Sequence, residues 1–450
     1  MHNPTPDRGR RPAWRTAALL ALLILPASAA SLAAQEAGAP LTIGELYRAV
    51  DSLSPRIAAS RAAAAAASAR VPGTRRLPDP NLQLATMYRQ LPGFDLEPPL
   101  GMNQVQLTQM LPIPGTGKLG LAGDVAQARA DATATAIGES IWEQRARAAM
   151  AFYDLYQADG TLVVMQETRQ VLEALSATVS GMYAVGEVRQ ADVLRAQLEV
   201  GRMTGQVVEM GAMRRTMAAR LNTVLARPAA APTGVPVLPA FPDTLPPPDS
   251  LVTWALASRA MLRAGEDNLR AAEAATTLAE REIWPDLELG VGYGWQPMSG
   301  GGTEQMLSVM VGATVPLWAG SRQLKMRDEA AAMRAEAADE LEAMRADTRG
   351  RVAELAAELD RVRELRAIYA RTLLPQAEAT VASARSAYQV GNVDFMTLLD
   401  AVMTAYDYRA QILRLEAEQG KALAELEMVT GRPLVATVTD PDPVAPGGAP

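Results

Sequence analysis

The chain is written twice. Leu77-Pro78-Asp79-Pro80-Asn81-Leu82 reads against Trp284-Pro285-Asp286-Leu287-Glu288-Leu289, and Pro112 and Gly115 read against Pro316 and Gly320. Tyr183-Ala184-Val185-Gly186 and Ala226-Arg227-Pro228 return 205 positions later as Tyr388-Gln389-Val390-Gly391 and Gly431-Arg432-Pro433. Anchors in one order at a nearly constant offset mark a tandem duplication, so the fold must be assembled from two copies of one unit. The expected division is a first repeat at 30–227, a proline-dense linker at 228–248, a second repeat at 249–432 and a disordered tail at 433–450. Proline fixes φ and removes an amide donor, which makes such a linker extended.

Each copy reads as helix, two strands, very long helix, return helix. Thr42 with Glu45 three residues on is a capping box that opens a helix expected over 42–69, closed by Pro72 and Gly73. Its counterpart is expected over 249–283, stopped before Pro285. Uninterrupted helical sequence then predicts helices over 118–182 and 322–387, each about 98 Å long at 1.5 Å per residue, with a kink expected at Pro375. Leu341, Met344, Thr348, Val352, Leu355, Leu359 and Val362 step by three and four, a coiled-coil seam. The return helices, 190–226 and 395–430, reach only about 55 Å. Stacked end to end with the first helix of its copy, each would match the long one, which predicts a rod with strands at one end and a turn at the other.

The strands alternate with period two. Leu82 and Leu84, Val105 and Leu107, Leu287, Leu289 and Val291, and Leu307, Val309 and Val311 are interleaved with polar residues or glycines. Such alternation over about ten residues is the pattern of a transmembrane β-barrel, with Gly290, Gly292, Gly294 and Gly312 expected to face inward. Tyr88, Tyr293, Trp284, Trp295 and Trp318 sit near strand ends, as an interfacial girdle requires. Four strands cannot close a barrel, and open strand edges are excluded from hydrocarbon. Chains must therefore associate: two copies give eight strands around an interior filled by side chains, and three give twelve around a conduit.

Composition narrows the function. Arg8, Arg10, Arg11 and Arg15 precede an apolar run at 17–25 and the small residues Ala27-Ser28-Ala29, the order of a secretory signal peptide expected over 1–29. With Cys 0 and the single His2 inside that segment, thiol nucleophiles, thiolate metal sites and an imidazole base are missing from the mature chain, which argues against an enzyme. A net charge of −7 argues against a nucleic-acid binder. No cofactor and no metal site is expected. Pro114-Gly115-Thr116-Gly117-Lys118 lacks phosphate-loop spacing and marks a strand-to-helix corner. Met203, Met210, Met213 and Met217 fall at helical spacing, which reads as core.

Taken in order, Leu77-Pro78-Asp79-Pro80, the stretch Gln109 to Gly115, Tyr183 to Gly186 with Asp192 to Gln197, Pro285-Asp286-Leu287, Val315 to Gly320, and Tyr388 to Gly391 with Leu398 to Ala401 resemble the TolC family of outer-membrane efflux channels. The likeness spans about residues 41–433. It implies a mainly α fold with a small β part: an α-barrel of long antiparallel coiled-coil helices above which a homotrimer shares a twelve-strand barrel in outer-membrane lipid. It also implies a passive exit duct for small molecules or metal ions, docked onto a periplasmic adaptor and an inner-membrane pump of RND or ABC type. A protein-secretion duct and a structural periplasm-spanning coiled coil are the alternatives. The helix reversals around Tyr183, Gly186, Arg189 and Asp192 and around Tyr388, Gly391, Val393 and Asp394 correspond to the family's periplasmic gate. There the tyrosine and the acid are matched by Tyr388 and Asp192, while Val393 replaces an arginine and Arg189 is the alternative cation.

Overall fold

The computed structural model describes residues 40–87, 102–242, 244–298 and 301–435. The expected signal segment with His2, Tyr88 and nearly all of the tail lie outside them. The first half runs β1 (Pro40–Leu41), α1 (Ile43–Leu53), α2 (Pro55–Thr74), β2 (Asn81–Met87), β3 (Met102–Pro112), α3 (Lys118–Ala184) and α4 (Gln190–Val224). The second runs β4 (Val235–Pro236), α5 (Pro248–Ser258), α6 (Ala260–Arg281), β5 (Asp286–Pro297), β6 (Thr303–Ala313) and α7 (Gln323–Ile368). A π-helical turn (Tyr369–Leu373), α8 (Leu374–Gln389) and α9 (Phe395–Thr430) complete it. The molecule is mainly helical, with one four-stranded antiparallel sheet in the order β2-β3-β5-β6.

The first helix of each half is not continuous, contrary to expectation. Thr42 makes the capping box, its side chain accepting from the Glu45 amide while the Glu45 carboxylate accepts from the Thr42 amide. The helix then breaks at Ser54, extended at ψ 117° because Pro55 bars the helical region to the residue before it. The second half breaks at Arg259, equally extended at ψ 121°, where no proline intervenes. There the Glu139 carboxylate holds the break: it accepts from the Arg259 guanidinium at 3.1 Å and from the free amide of Met261 at 3.1 Å. A side chain on α3 thus caps α6 from outside. The later boundaries also move: Pro72 and Gly73 lie inside the last turn of α2, and α6 stops at Arg281.

α3 is 67 residues long, about 100 Å, while α4 spans about half of that. Three apolar clusters hold the helices along this length. In the middle, Phe152, Tyr153 and Leu155 of α3 meet Leu46 and Val50 of α1, Leu221 of α4 and Ala417 of α9. Towards the far end, Leu172 and Val179 of α3 pack with Met203 of α4, Tyr388 of α8 and Phe395 and Leu398 of α9. In the second half, Val352, Leu355 and Leu359 of α7 pack with Leu251 of α5 and Leu423 and Leu426 of α9. The predicted seam is buried at Leu341, Thr348, Val352, Leu355, Leu359 and Val362, with Met344 half-buried. Alanines 148, 149 and 417 let the backbones approach closely, which explains a firm core with few aromatics. Pro375 produces not a simple kink but the π-helical turn just before it, which relieves the clash of its ring with a preceding carbonyl.

The proline-dense run is bound along its length. β4 pairs in parallel with β1, and Phe241 stacks against Tyr153 at 6.2 Å. Nearby, Glu427 is buried: its Oε1 accepts the amides of Leu434 at 2.7 Å and Val435 at 2.8 Å, and the Tyr47 hydroxyl donates to Oε2 at 3.1 Å. Burial pushes the Glu427 carboxyl above its ordinary value, and the hydrogen bonds draw it only part of the way back.

A carboxyl whose pKa is raised by folding contributes stability that is present below its unfolded pKa and is lost as pH rises through the folded one. Glu427→Gln removes that dependence. Denaturant unfolding between pH 4.5 and 7.5 is expected to show wild type losing stability relative to the variant as pH rises. Parallel profiles, or wild type gaining, contradict the assignment.

Candidate functional site: a two-faced sheet and a capped helical tip

Register sorts the sheet into two faces. Leu84, Val105, Tyr293 and Leu307 stand in one cross-strand row, and Leu82, Leu107, Val291 and Val309 in the next. Leu289 and Val311 follow beside Gln109, then Leu111, Leu287 and Ala313. All ten strand residues singled out in the sequence therefore share one face. It carries no charged residue, and it is open: Leu84 is 76% exposed, Leu307 75% and Val311 70%. A soluble sheet buries its apolar face; this one turns it outward.

The opposite face carries Asn81, Gln83, Gln104, Gln106, Thr108, Glu288, Ser308 and the four glycines. The glycine column of β5 is needed for space. A Cβ at Gly292 would lie 2.5 Å from the Ser308 hydroxyl and 2.7 Å from the Gln104 amide nitrogen, so neighbouring side chains lean over the bare strand. Trp284 and Trp318 are exposed beyond the helix-side ends of the sheet, and Tyr293 and Trp295, 5.9 Å apart, mark the hairpin side. Tyr88 lies outside the described residues.

All four helix connections leave the same end of the sheet, because β3 and β6 run into helices where β2 and β5 come out of them. Gly115 at φ 93° and Gly117 at φ 70° turn the β3–α3 corner. Lys118 then crosses between the halves: its buried ammonium donates to the Trp284 carbonyl at 2.7 Å and to Asp286 Oδ1 at 2.9 Å. The sequence marked this corner but not the tie that Lys118 makes.

At the other end α3 and α8 reverse by one device. Gly186 at φ 82° and Gly391 at φ 75° end the helices, while the amides of Glu187 and Asn392 close on the carbonyls of Met182 and Ala387. Arg189 and Asp394 cap the helices that follow; Asp394 accepts from the Thr397 amide at 2.9 Å, and hydrogen bonds from Thr397 hold its carboxyl below the usual value. The two tips differ in their tyrosines. Tyr183 is exposed, whereas Tyr388 is 4% exposed and meets Phe395 edge-on at 6.1 Å.

The polar latch suggested by the resemblance is not formed within the chain. The Tyr388 hydroxyl is buried without a hydrogen-bond partner among the described residues. Burial, then the charge of Asp192, pushes its pKa up. Arg189 makes no ion pair among the described residues, and Val393 packs into the apolar cluster of Phe395, Leu398 and Val193. Arg195 is the cation whose charge acts on Asp394. Phe395 and Arg195 were given no role at the tip from sequence, although Arg195 lies in the motif Asp192 to Gln197 and Phe395 is one of only four phenylalanines in the chain.

An apolar exterior, a polar wall behind it and a long helical stem define a subunit of a membrane channel. Residues 251–432 match the family model described as Outer membrane efflux protein. The fold is similar to that of a membrane protein from Pseudomonas aeruginosa, with a TM-score of 0.76 at 19% identity over 87% of this chain and 90% of that one. VceC from Vibrio cholerae gives a TM-score of 0.73 at 16% identity, covering 87% and 96% of the two chains. The open state of the Neisseria gonorrhoeae MtrE channel gives 0.73 at 16%, covering 87% and 89%. No curated protein sequence matches the chain. Residues 251–432 are about two fifths of the 450-residue chain, and beyond them the likeness to such channels is one of fold. Channels of that family lie in the outer membrane, reach into the periplasm and are trimeric.

Leu84 and Gln83 are exposed neighbours on opposite faces of β2. A charge facing hydrocarbon costs on the order of 2–4 kcal/mol near the midplane, and one facing the lumen does not. Leu84→Arg is expected to lower urea resistance after refolding into vesicles, with Gln83→Arg close to wild type. Equal losses contradict the face assignment.

Proposed function

We propose that the chain works as a homotrimer whose three sheets close into one twelve-stranded barrel, a passive exit duct for small molecules or metal ions. The observation that carries this reading is the sheet itself, with β2 and β6 unpaired at its edges and an apolar face turned outward. The duct has no energy source of its own. A periplasmic adaptor, docking on the tips around Gly186 and Gly391, and an inner-membrane pump of RND or ABC type would supply it in a tripartite efflux system.

The described strands contain no lysine or arginine, and Glu288 and Glu304 stand on the polar face. Fixed negative charge along a pore favours cations. The tip is the gate: Tyr388, Phe395 and Val393 hold α8 and α9 against α3 and α4 by apolar contact rather than by an ion pair.

Single channels in planar bilayers test both parts. In a potassium chloride gradient the reversal potential is expected on the cation-selective side, moving towards zero in a Glu288→Gln, Glu304→Gln variant. Tyr388→Phe is expected to keep the resting conductance because its hydroxyl has no hydrogen-bond partner among the described residues, whereas Phe395→Ala is expected to raise it. Anion selectivity overturns the wall assignment, and a Tyr388→Phe effect as large as that of Phe395→Ala overturns the apolar gate.

A further inference from the structure

Lys118 opens α3, and its counterpart in the second half is Gln323, which opens α7. Lys118 joins the halves within one chain: its ammonium lies 3.7 Å from Glu282, the C-cap of α6, and donates to the Trp284 carbonyl and to Asp286. Those three partners have their own counterparts in the first half, Arg75 at the C-cap of α2, then Leu77 and Asp79. Within the chain β3 and β5 separate that second set from the β6 corner. Gln323 Oε1 is buried with no hydrogen-bond partner among the described residues. Asp79 and Arg322 are exposed and make no ion pair among them. Arg322 and Gln323 line an open cavity of about 310 Å³ at the helix-side end of β5 and β6.

The differences between the two corners are matched. Where one corner has Glu282 and Lys118, the other has Arg75 and Gln323. A lysine at 323 would meet a guanidinium, but an amide suits it. The amide oxygen accepts from Arg75, and its two N–H groups can repeat the bonds of Lys118 to a carbonyl and a carboxylate.

The strands obey the same operation. Asn81 stands opposite Thr108 in one hairpin and its counterpart Glu288 opposite Gly312 in the other, so Thr108 corresponds to Gly312. At the seam inside the chain Gln109 faces Leu289, Thr108 faces Gly290 and Leu107 faces Val291. Moved to the open edges, that seam sets Ala313 against Leu82, Gly312 against Gln83 and Val311 against Leu84 of the next copy. Outward residues meet outward residues, and polar-face residues meet behind them; a slip of one residue would mix the faces. A row followed through Leu82, Leu107, Val291 and Val309 arrives at Thr86 of the next copy, a stagger of four residues over four strands. Equal stagger and strand number is the proportion of an eight-strand barrel of shear eight, whose strands tilt by about 36°.

We propose that Gln323 and Arg322 clasp the corner Arg75, Leu77 and Asp79 of the next copy in this register, and that the clasp sets the order of halves around the ring. Lys118 is repelled by Arg75 and so is kept to Glu282 of its own chain, which makes first and second halves alternate. The inference rests on the closed ring proposed above, to which it adds the partner residues and the register.

The chain has no cysteine, so introduced thiols report the register. Within one chain Leu82 and Ala313 are three strand spacings apart, about 14 Å, beyond the roughly 7 Å limit for a disulfide. Leu82→Cys, Ala313→Cys, oxidised in outer membranes, is expected to give covalently linked chains in denaturing gels. Thr86→Cys, Ala313→Cys, four residues out of register on the same face, is expected to give at least about tenfold less. Linkage mainly in the shifted pair, or in neither, overturns the register and leaves the duct standing. Gln323→Lys is expected to lower the temperature at which trimers dissociate in detergent, and adding Arg75→Glu is expected to recover most of the loss. An unchanged temperature in Gln323→Lys, or no recovery in the double variant, overturns the clasp. Wild type that yields only folded single chains overturns the duct and the clasp together.

Discussion

A strand edge without a partner is the constraint from which the rest of this structure follows. β2 and β6 each leave one row of backbone amides and carbonyls unpaired, on a sheet whose outward face is leucine, valine, tyrosine and tryptophan. Water can satisfy such an edge, but lipid cannot, at a cost of several kcal/mol for each unsatisfied group. The outward face asks for lipid while the edges forbid it, and the proposed closure by copies of the same sheet would meet both demands. The long helices follow from the same requirement. They continue the strands on one side alone, since every helix connection leaves the same end of the sheet.

Duplication supplies the symmetry, and the two halves depart from it in detail. Both halves end their long helices with a left-handed glycine and the same backbone closure. Yet Tyr183 faces outward and Tyr388 is buried against Phe395. The halves also break their first helices at equivalent places by different means, Pro55 in one and the Glu139 carboxylate in the other. A cap supplied from α3 ties α6 to the long helix of the first half, as Lys118 ties the first corner to β5. The two halves are therefore joined by ion pairs as well as by packing.

Most of the fold was legible because its periods are long and clean. Ten strand residues fell on one face as alternation required, and the seam from Leu341 to Val362 is buried as its spacing required. What escaped depends on contacts distant in sequence. Nothing local to Arg259 predicts a break, because the group that stabilises it is 120 residues away. The π-helical turn before Pro375 is a choice among ways of relieving one clash, which sequence does not make. At the tip, Val393 marked a departure from the family pattern, but its meaning came from the apolar neighbours that the turn brings to it.

The account stands or falls on whether the sheet's open edges are closed by other copies. Native mass spectrometry of the full chain, extracted from the outer membrane in mild detergent, measures this directly. Three chains in one folded particle is the predicted result. A folded particle holding a single chain, its four strands intact, would contradict it.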